Sequence, residues 1–249
     1  VYYIAVVVLS PLFLLLATVS QTILPASSAA REVYGDRGLE EGLYRASRYI
    51  FVGFVPVAVL MAMLSGPILA TFAGPAYVEG RVVLSAGALA LAAASLGPAL
   101  MMVLTTLEAT VYVLAASAAA IASEVALGLA LTPSLGLRGA AVMYASQPLV
   151  STAVLYLGLR RRMRVSLDTK AMACSLSGAL ASALLARGLG TALGGRSPLA
   201  EALVMALAYA LVVKVTRVLD TTDRRLIRSA APPRLRPLVD ALFSLMGVG

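Results

Sequence analysis

The distribution of charge is the feature that most limits what this chain can fold into. Residues 31–48 carry eight of the 32 charged side chains, whereas residues 1–30 and 49–78 carry none. Each uncharged run exceeds the roughly 20 apolar residues that a helix needs to cross a lipid bilayer. The pattern therefore predicts a membrane protein in which residues 31–48 connect two spans.

Composition leads to the same conclusion. The chain is 60% hydrophobic and 13% charged, whereas average soluble domains are about 45–50% apolar and about 25% charged. The net charge of +8 is typical of basic connectors in a membrane protein and does not require a nucleic-acid partner. Cys174 is the only cysteine and there is no histidine, so histidine metal ligands and histidine general bases are excluded.

Seven stretches are apolar enough to span a bilayer, and the sixth is the shortest. They predict an all-α, polytopic integral membrane helical bundle with about seven transmembrane helices. The predicted spans cover residues 2–29, 49–72, 82–107, 111–131, 139–159, 171–185 and 199–218. We interpret residues 1–218 as one transmembrane lobe and residues 219–249 as a cytoplasmic tail with short amphipathic helices.

Lysine and arginine are distributed unequally between the two sides that these spans define. The connectors after spans one, three, five and seven contain 16 of them, and the other connectors contain four. Cytoplasmic loops of membrane proteins are enriched in lysine and arginine. The split therefore predicts a multi-pass protein of the cytoplasmic membrane, with residue 1 outside and the C-terminus in the cytoplasm.

Small residues and prolines are frequent in the predicted spans. Small side chains let helices approach closely in lipid, so we expect close packing of spans three to five, with high alanine usage as the alternative explanation. Prolines kink membrane helices, which is tolerated where neighbouring helices satisfy the freed carbonyl groups. The residues concerned are Ala115, Ala116, Ser117, Ala118, Ala119, Ala120 and Ser123 in span four, and Pro11, Pro25, Pro56, Pro67, Pro98 and Pro148.

Several short motifs follow one another along the chain. The first begins at Pro25, and the others lie between residues 30 and 165. They pair Pro25 with Ser27, Gly35 with Asp36, Gly74 with Tyr77, and Gly136 with Gly139, Ala140 and Ala141. With these motifs in this order, the chain resembles the polysaccharide-flippase (Wzx-like) branch of the multidrug/oligosaccharidyl-lipid/polysaccharide (MOP) exporter superfamily. Such proteins have two lobes, and the resemblance implies that this chain is the C-terminal lobe of a MATE/MOP-like fold.

The resemblance implies transport rather than catalysis. The expected function is flipping of a lipid-linked oligosaccharide, a polyprenyl-type diphosphate sugar, across the cytoplasmic membrane for polysaccharide or glycoconjugate export by alternating access. The expected partners are the lipid bilayer, this substrate, and an N-terminal lobe or a second copy, with no cofactor, metal or nucleic acid. Two alternatives remain: a cation-coupled multidrug exporter of the same fold, and a membrane enzyme of glycolipid assembly.

Glu124 is the strongest candidate site residue, because it lies near the middle of the fourth span. A charged group at bilayer depth costs several kcal/mol and usually faces a cavity or a partner. One interpretation is a protonatable group, or a contact to sugar, in a central cavity. The other is a protonated structural carboxyl group that bonds to a neighbouring helix.

Four further residues are weaker candidates for contacts with the substrate. Gln147 and Gln21 carry amides at depth, where they either recognise sugar or form interhelical hydrogen bonds. Arg31 and Arg37 stand at the predicted inner mouth, where a diphosphate would need cationic donors. Anchoring of the connector in the cytoplasm is the competing explanation for both arginines.

Overall fold

The structure, a computed structural model, describes residues 1–192, 197–216 and 218, with the side chains of residues 19–30 outside the description. The described residues form α-helices and one 3₁₀ helix without any strand, which confirms the predicted all-α class. The helices are α1 (Tyr2–Tyr34), α2 (Asp36–Met63), α3 (Ser65–Phe72), α4 (Arg81–Ala93), α5 (Gly97–Thr106), α6 (Thr110–Leu135), α7 (Leu137–Arg160), α8 (Thr169–Ala192) and α9 (Pro198–Thr216), and the 3₁₀ helix is Pro75–Gly80.

Six helical segments among the described residues are long and apolar enough to cross a membrane. They correspond to the second to seventh predicted spans, while the first coincides with α1, which is described in full only up to Thr18. The chain is therefore a multi-pass membrane protein, as expected from its charge pattern. The six segments are Asp36–Met63, Pro75–Ala93, Thr110–Leu135, Leu137–Arg160, Thr169–Ala192 and Pro198–Thr216.

The chain divides into two compact units between Asp168 and Thr169. Unit 1 contains α1 to α7, and α8 and α9 belong to unit 2. The predicted boundary at residue 219 and the expected cytoplasmic tail, 219–249, lie outside the described residues.

In unit 1, α1, α2, α4, α5 and α7 surround an apolar core, and α6 packs mainly on α7. The core is built from large aliphatic side chains, including Leu39, Ile50, Leu84 and Leu104, which are almost fully buried. By contrast, α6 buries only alanines and directs large apolar side chains outward. Such an apolar outer face is suited to contact with lipid.

The expected third span, 82–107, is interrupted between α4 and α5. Pro98 has no N–H group to donate to the carbonyl oxygen of Ala94, which accepts instead from the backbone N–H of Gly97 at 2.9 Å. The side-chain hydroxyl of Thr152 in α7 also donates to this oxygen, at 3.1 Å. The freed carbonyl group thus has one partner in its own turn and one in a neighbouring helix, and the second is the kind of partner expected at proline kinks in lipid.

The charged connector is helical, and α1 and α2 meet at the single residue Gly35. Its φ of 63° lies in the left-handed region that favours glycine. The other described glycines with positive φ are Gly74 and Gly136, which also stand at helix junctions. All three belong to the motifs on which the family resemblance depends.

The α6–α7 hairpin shows where small residues permit close packing. A Cβ added to Gly158 would lie 2.7 Å from ring atoms of Tyr112, and one added to Gly139 would collide with the carbonyl oxygen of Leu131. Among the small residues named above in the fourth span, only Ala116 and Ala120 are buried. Close packing therefore depends on a narrow stripe and not on the whole alanine-rich segment.

In unit 2, α8 packs on α9 through one face of small residues. Gly178 lies so close to Val212 that an added Cβ would be 2.6 Å from a methyl carbon of that side chain. On α9, Met205, Tyr209 and Val213 are buried at a spacing of four residues, which places them on one side of the helix. The sixth predicted span, 171–185, is therefore a full helix that extends to Ala192.

Candidate functional site

Glu124 lies 14 residues after the start of α6 and 11 before its end. At a rise of about 1.5 Å per residue, the carboxyl group is about 21 Å from one end of the helix and about 16 Å from the other. It follows Ala116 and Ala120 at intervals of four residues, so it is close to the buried stripe that packs on α7. Its side chain is partly buried.

Two tyrosines from other helices lie within electrostatic range of Glu124. The carboxyl group is close enough to the hydroxyl groups of Tyr2 in α1 and Tyr144 in α7 to interact with both electrostatically. The two rings are arranged edge to face, with centroids 6.4 Å apart and planes at 76°. The ring of Tyr144 also lies against Gly87 of α4, where an added Cβ would be 3.0 Å from a ring carbon.

Two serines extend this group of polar residues. Ser123 precedes Glu124 in α6, and its hydroxyl oxygen lies 3.4 Å from that of Ser146 in α7. We call Tyr2, Ser123, Glu124, Tyr144 and Ser146 the carboxyl–tyrosine cluster. It combines a carboxyl group, two phenols and two hydroxyls from α1, α6 and α7.

Gln147 and Gln21 do not extend the cluster. Gln147 follows Ser146 in α7 but is exposed, and it makes no hydrogen bond to a described residue. Gln21 lies within α1, and its side chain is outside the described part of the structure. The role of both amides in sugar recognition stays a prediction.

Contacts at one end of unit 1 join connectors that the distribution of lysine and arginine predicts to lie on the same side of the membrane. The Arg31 side chain donates a hydrogen bond to the carbonyl oxygen of Thr106 at 2.7 Å. Arg48 and Asp168 form an ion pair, with 2.7 Å between Nε and Oδ2. The first connector therefore meets both the end of α5 and the segment after α7, and we call this part of unit 1 the basic end.

Arg31 and Arg37 lie at the basic end in different environments. The Nε atom of Arg31 is 3.7 Å from Oδ1 of Asp36, in addition to its hydrogen bond to Thr106. Arg37 is exposed and forms no ion pair or hydrogen bond with any residue that the structure describes. Arg31 would have to exchange existing partners to bind a diphosphate, whereas Arg37 would not.

The structure does not bring the five candidate residues into one site. Tyr112 is at the basic end, because Arg162 lies over its ring at 5.7 Å. Glu124 is 12 residues further along α6, which corresponds to about 18 Å. Glu124 and the two arginines therefore belong to separate places in unit 1.

The neighbours of Glu124 were not predicted from the sequence. Ser123 is adjacent in sequence, and this was a usable signal, but Tyr2 and Tyr144 are far from Glu124 along the chain. Tyrosine at a predicted helix end is common at membrane interfaces, so nothing in the sequence separates these two from the other eight tyrosines. Only the packing of α1, α6 and α7 identifies them.

Chemically, the carboxyl–tyrosine cluster can accept or release a proton and can donate several hydrogen bonds. Glu124 forms no ion pair or hydrogen bond with any described side chain, so its carboxyl oxygens are available to a ligand or to water. Comparisons with protein-family models, with curated proteins and with solved structures found no match to this chain.

Proposed function

We propose that this chain is one lobe of an exporter that moves a lipid-linked oligosaccharide from the cytoplasmic to the outer leaflet of the cytoplasmic membrane. The observation that carries the proposal is the carboxyl–tyrosine cluster between membrane-spanning helices of unit 1. Ionisable groups at bilayer depth are costly and mark substrate or ion pathways. The ordered motifs that resemble the flippase branch support the same proposal.

In this proposal the sugar contacts the carboxyl–tyrosine cluster while the polyprenyl chain stays in the bilayer. Sugar hydroxyls need donors and acceptors, which Glu124, Tyr2 and Tyr144 provide. The aromatic rings also offer apolar faces against which a sugar can pack. Alternating access then requires a second lobe that closes over the cluster from the other side.

The proposed orientation places the basic end of unit 1 in the cytoplasm. This assignment depends on the excess of arginine there, which is typical of cytoplasmic connectors. It would bring the diphosphate of the substrate to a surface rich in arginine before the sugar enters the lobe. We further propose that the chain acts with an N-terminal lobe or a second copy, and that a purified monomer transports nothing.

The experiment measures glycolipid that reaches the outer leaflet in cells that lack the chain and are then supplied with variants. Wild type should restore outer-leaflet glycolipid, and Glu124→Gln should reduce it at an unchanged level of protein in the membrane. Glu79→Gln is the matched control, because Glu79 is exposed on the 3₁₀ helix and outside the cluster. Glu124→Leu should lose more activity, since it also removes hydrogen bonding.

One outcome would reject the proposed function, and another would reject the role of Glu124. Unchanged outer-leaflet glycolipid after loss of the chain would exclude glycolipid flipping by this protein. If that result came with loss of cationic-dye efflux that depends on Glu124, a cation-coupled multidrug exporter would be the better assignment. Wild-type export by both Glu124 variants from pH 5 to 8 would leave Glu124 as a structural residue.

A further inference from the structure

A cavity at the basic end of unit 1 has an unusual lining. Its volume is about 630 Å³, and it is bordered by Glu40 of α2, Arg160 at the end of α7, and the segment that follows. Ligand pockets in proteins typically measure about 300–1,000 Å³, so the cavity can hold a ligand larger than a single ion. The other lining residues are Arg161, Arg162, Met163, Arg164, Val165 and Ser166. We call it the arginine pocket.

The arginine pocket has an excess of positive charge. Four guanidinium groups border it and only one carboxylate, that of Glu40. Among the residues that the structure describes, none of the four arginines forms an ion pair. Like charges at this density repel one another, and an anion in the pocket would relieve that repulsion.

Two of the four arginines are held in place by aromatic rings. The guanidinium carbon of Arg160 lies 5.8 Å from the ring centroid of Tyr156, and that of Arg162 lies 5.7 Å from the centroid of Tyr112. A ring against one face of a guanidinium leaves its N–H groups free to donate in the guanidinium plane. This fork of donors matches the oxygens of a phosphate.

The position of the pocket favours a ligand from the membrane surface. Tyr112 is in the first turn of α6 and Tyr156 in the last turns of α7, at the ends of two membrane-spanning helices. Tyrosines at such positions lie at the level of lipid headgroups. The arginines that stack on these rings are therefore at the height of the headgroup phosphates.

We propose that the arginine pocket is a binding site for a phosphate-bearing anion, presented either as a lipid headgroup or as a soluble phosphate. The site is distinct from the carboxyl–tyrosine cluster and does not require that the chain transport glycolipid. Arg161 and Arg164 supply donors without any partner among the described residues, and Arg160 and Arg162 supply donors that are already oriented.

The test measures binding of two probes to the purified full chain in an uncharged detergent. One arm titrates phosphatidylglycerol against phosphatidylcholine by native mass spectrometry, and the other titrates inorganic pyrophosphate by equilibrium dialysis. The variant is Arg161→Gln/Arg164→Gln. Its matched control is Arg81→Gln/Arg138→Gln, which has the same net charge and removes two exposed arginines outside the pocket.

We expect the pocket variant to weaken binding of an anionic probe by about tenfold or more, since each basic residue contributes roughly fivefold at an anionic surface. The control should change binding by less than about twofold. Glu40→Gln should strengthen binding, because it removes the only acid that lines the pocket. A gain of affinity cannot result from misfolding, so this variant protects the test against a folding defect.

If the pocket variant loses binding of phosphatidylglycerol and the control does not, the ligand is a lipid headgroup. If this contrast is seen with pyrophosphate alone, the ligand is a soluble phosphate. Equal losses in both double variants would show that only net charge matters and would overturn the proposal. Equal binding of phosphatidylcholine and phosphatidylglycerol, with no response to pyrophosphate, would overturn it as well. Weaker binding after Glu40→Gln would have the same consequence.

Discussion

Two arginine-rich stretches lie at the basic end of unit 1: residues 31–48, at the junction of α1 and α2, and residues 160–164, after α7. In the first, Arg31, Arg45 and Arg48 each form an ion pair with a carboxylate. In the second, no arginine does so among the described residues, although two lie over tyrosine rings. Each stretch contains four arginines, but most of those in the first are paired with acids, whereas those in the second are available to the anion that we propose.

The difference arises from where the acids stand. Residues 31–48 contain four acids, and Glu41 precedes Arg45 by four residues on one helix face, where the two side chains can meet. The acid nearest in sequence after Arg164 is Asp168, but it pairs with Arg48. The backbone N–H of Asp168 also donates to the Ser47 hydroxyl at 3.0 Å. The first stretch therefore binds the acid nearest in sequence after the second, and Glu40 is the only carboxylate that lines the arginine pocket.

The largest expected effect concerns the side of the membrane on which both stretches lie. In a Cys174→Ser background, Tyr34→Cys and Arg164→Cys should react only with reagents that reach the cytoplasm, and Ala76→Cys only with reagents outside. Tyr34, Ala76 and Arg164 are exposed. Labelling of Tyr34→Cys and Arg164→Cys from opposite sides in intact cells would separate the two stretches and contradict their shared end.

Breaking the Arg48–Asp168 ion pair should destabilise the protein strongly. The two side chains are only 16% and 8% exposed, and removal of one partner from a buried pair costs about 3 kcal/mol or more. We expect Arg48→Ala to lower the free energy of unfolding in detergent by about that amount. Arg45→Ala is the control, because its pair with Glu41 is exposed and should contribute about 0.5 kcal/mol or less. Equal losses would mean that burial does not distinguish the two pairs.

Gly158 is two residues before the second stretch, and it should not tolerate substitution by alanine. The added Cβ would lie 2.7 Å from the Tyr112 ring, and overpacking of this kind costs about 1–3 kcal/mol. Gly53→Ala in α2 is the control, since nothing lies within 4 Å of its added Cβ. In a helix interior that change should stabilise by up to about 1 kcal/mol. Thermal unfolding of both variants in the same detergent measures the contrast.

The smallest expected effect is that of the ring under Arg162. A double-mutant cycle of Tyr112→Leu with Arg162→Gln should give a coupling energy of about 0.5–1 kcal/mol, as measured for exposed cation–π pairs. Tyr112→Phe keeps the ring and therefore the contact, so its cycle with Arg162→Gln should give a coupling energy close to zero. A coupling energy of zero in the leucine cycle would show that the ring does not orient the guanidinium group.

The number and order of the membrane helices could be predicted from the sequence, because an apolar run of sufficient length is a local property. The details of two helices could not. Residues 36–48 continue α2 as a helix, and the break before Pro98 is stabilised by Thr152, which is 54 residues further along the chain. Such partners are chosen by packing, which leaves no local trace in the sequence.

The candidate site divides in the same way. The sequence by itself determined that Glu124 lies at depth in a membrane helix and that arginine accumulates on one side, because depth and charge count follow from position along apolar runs. Only the tertiary structure decided that Tyr2 and Tyr144 lie within electrostatic range of Glu124, and that Asp168 pairs with Arg48. The physical reason is that charged and polar groups interact through space over a few ångströms, and only folding sets those distances.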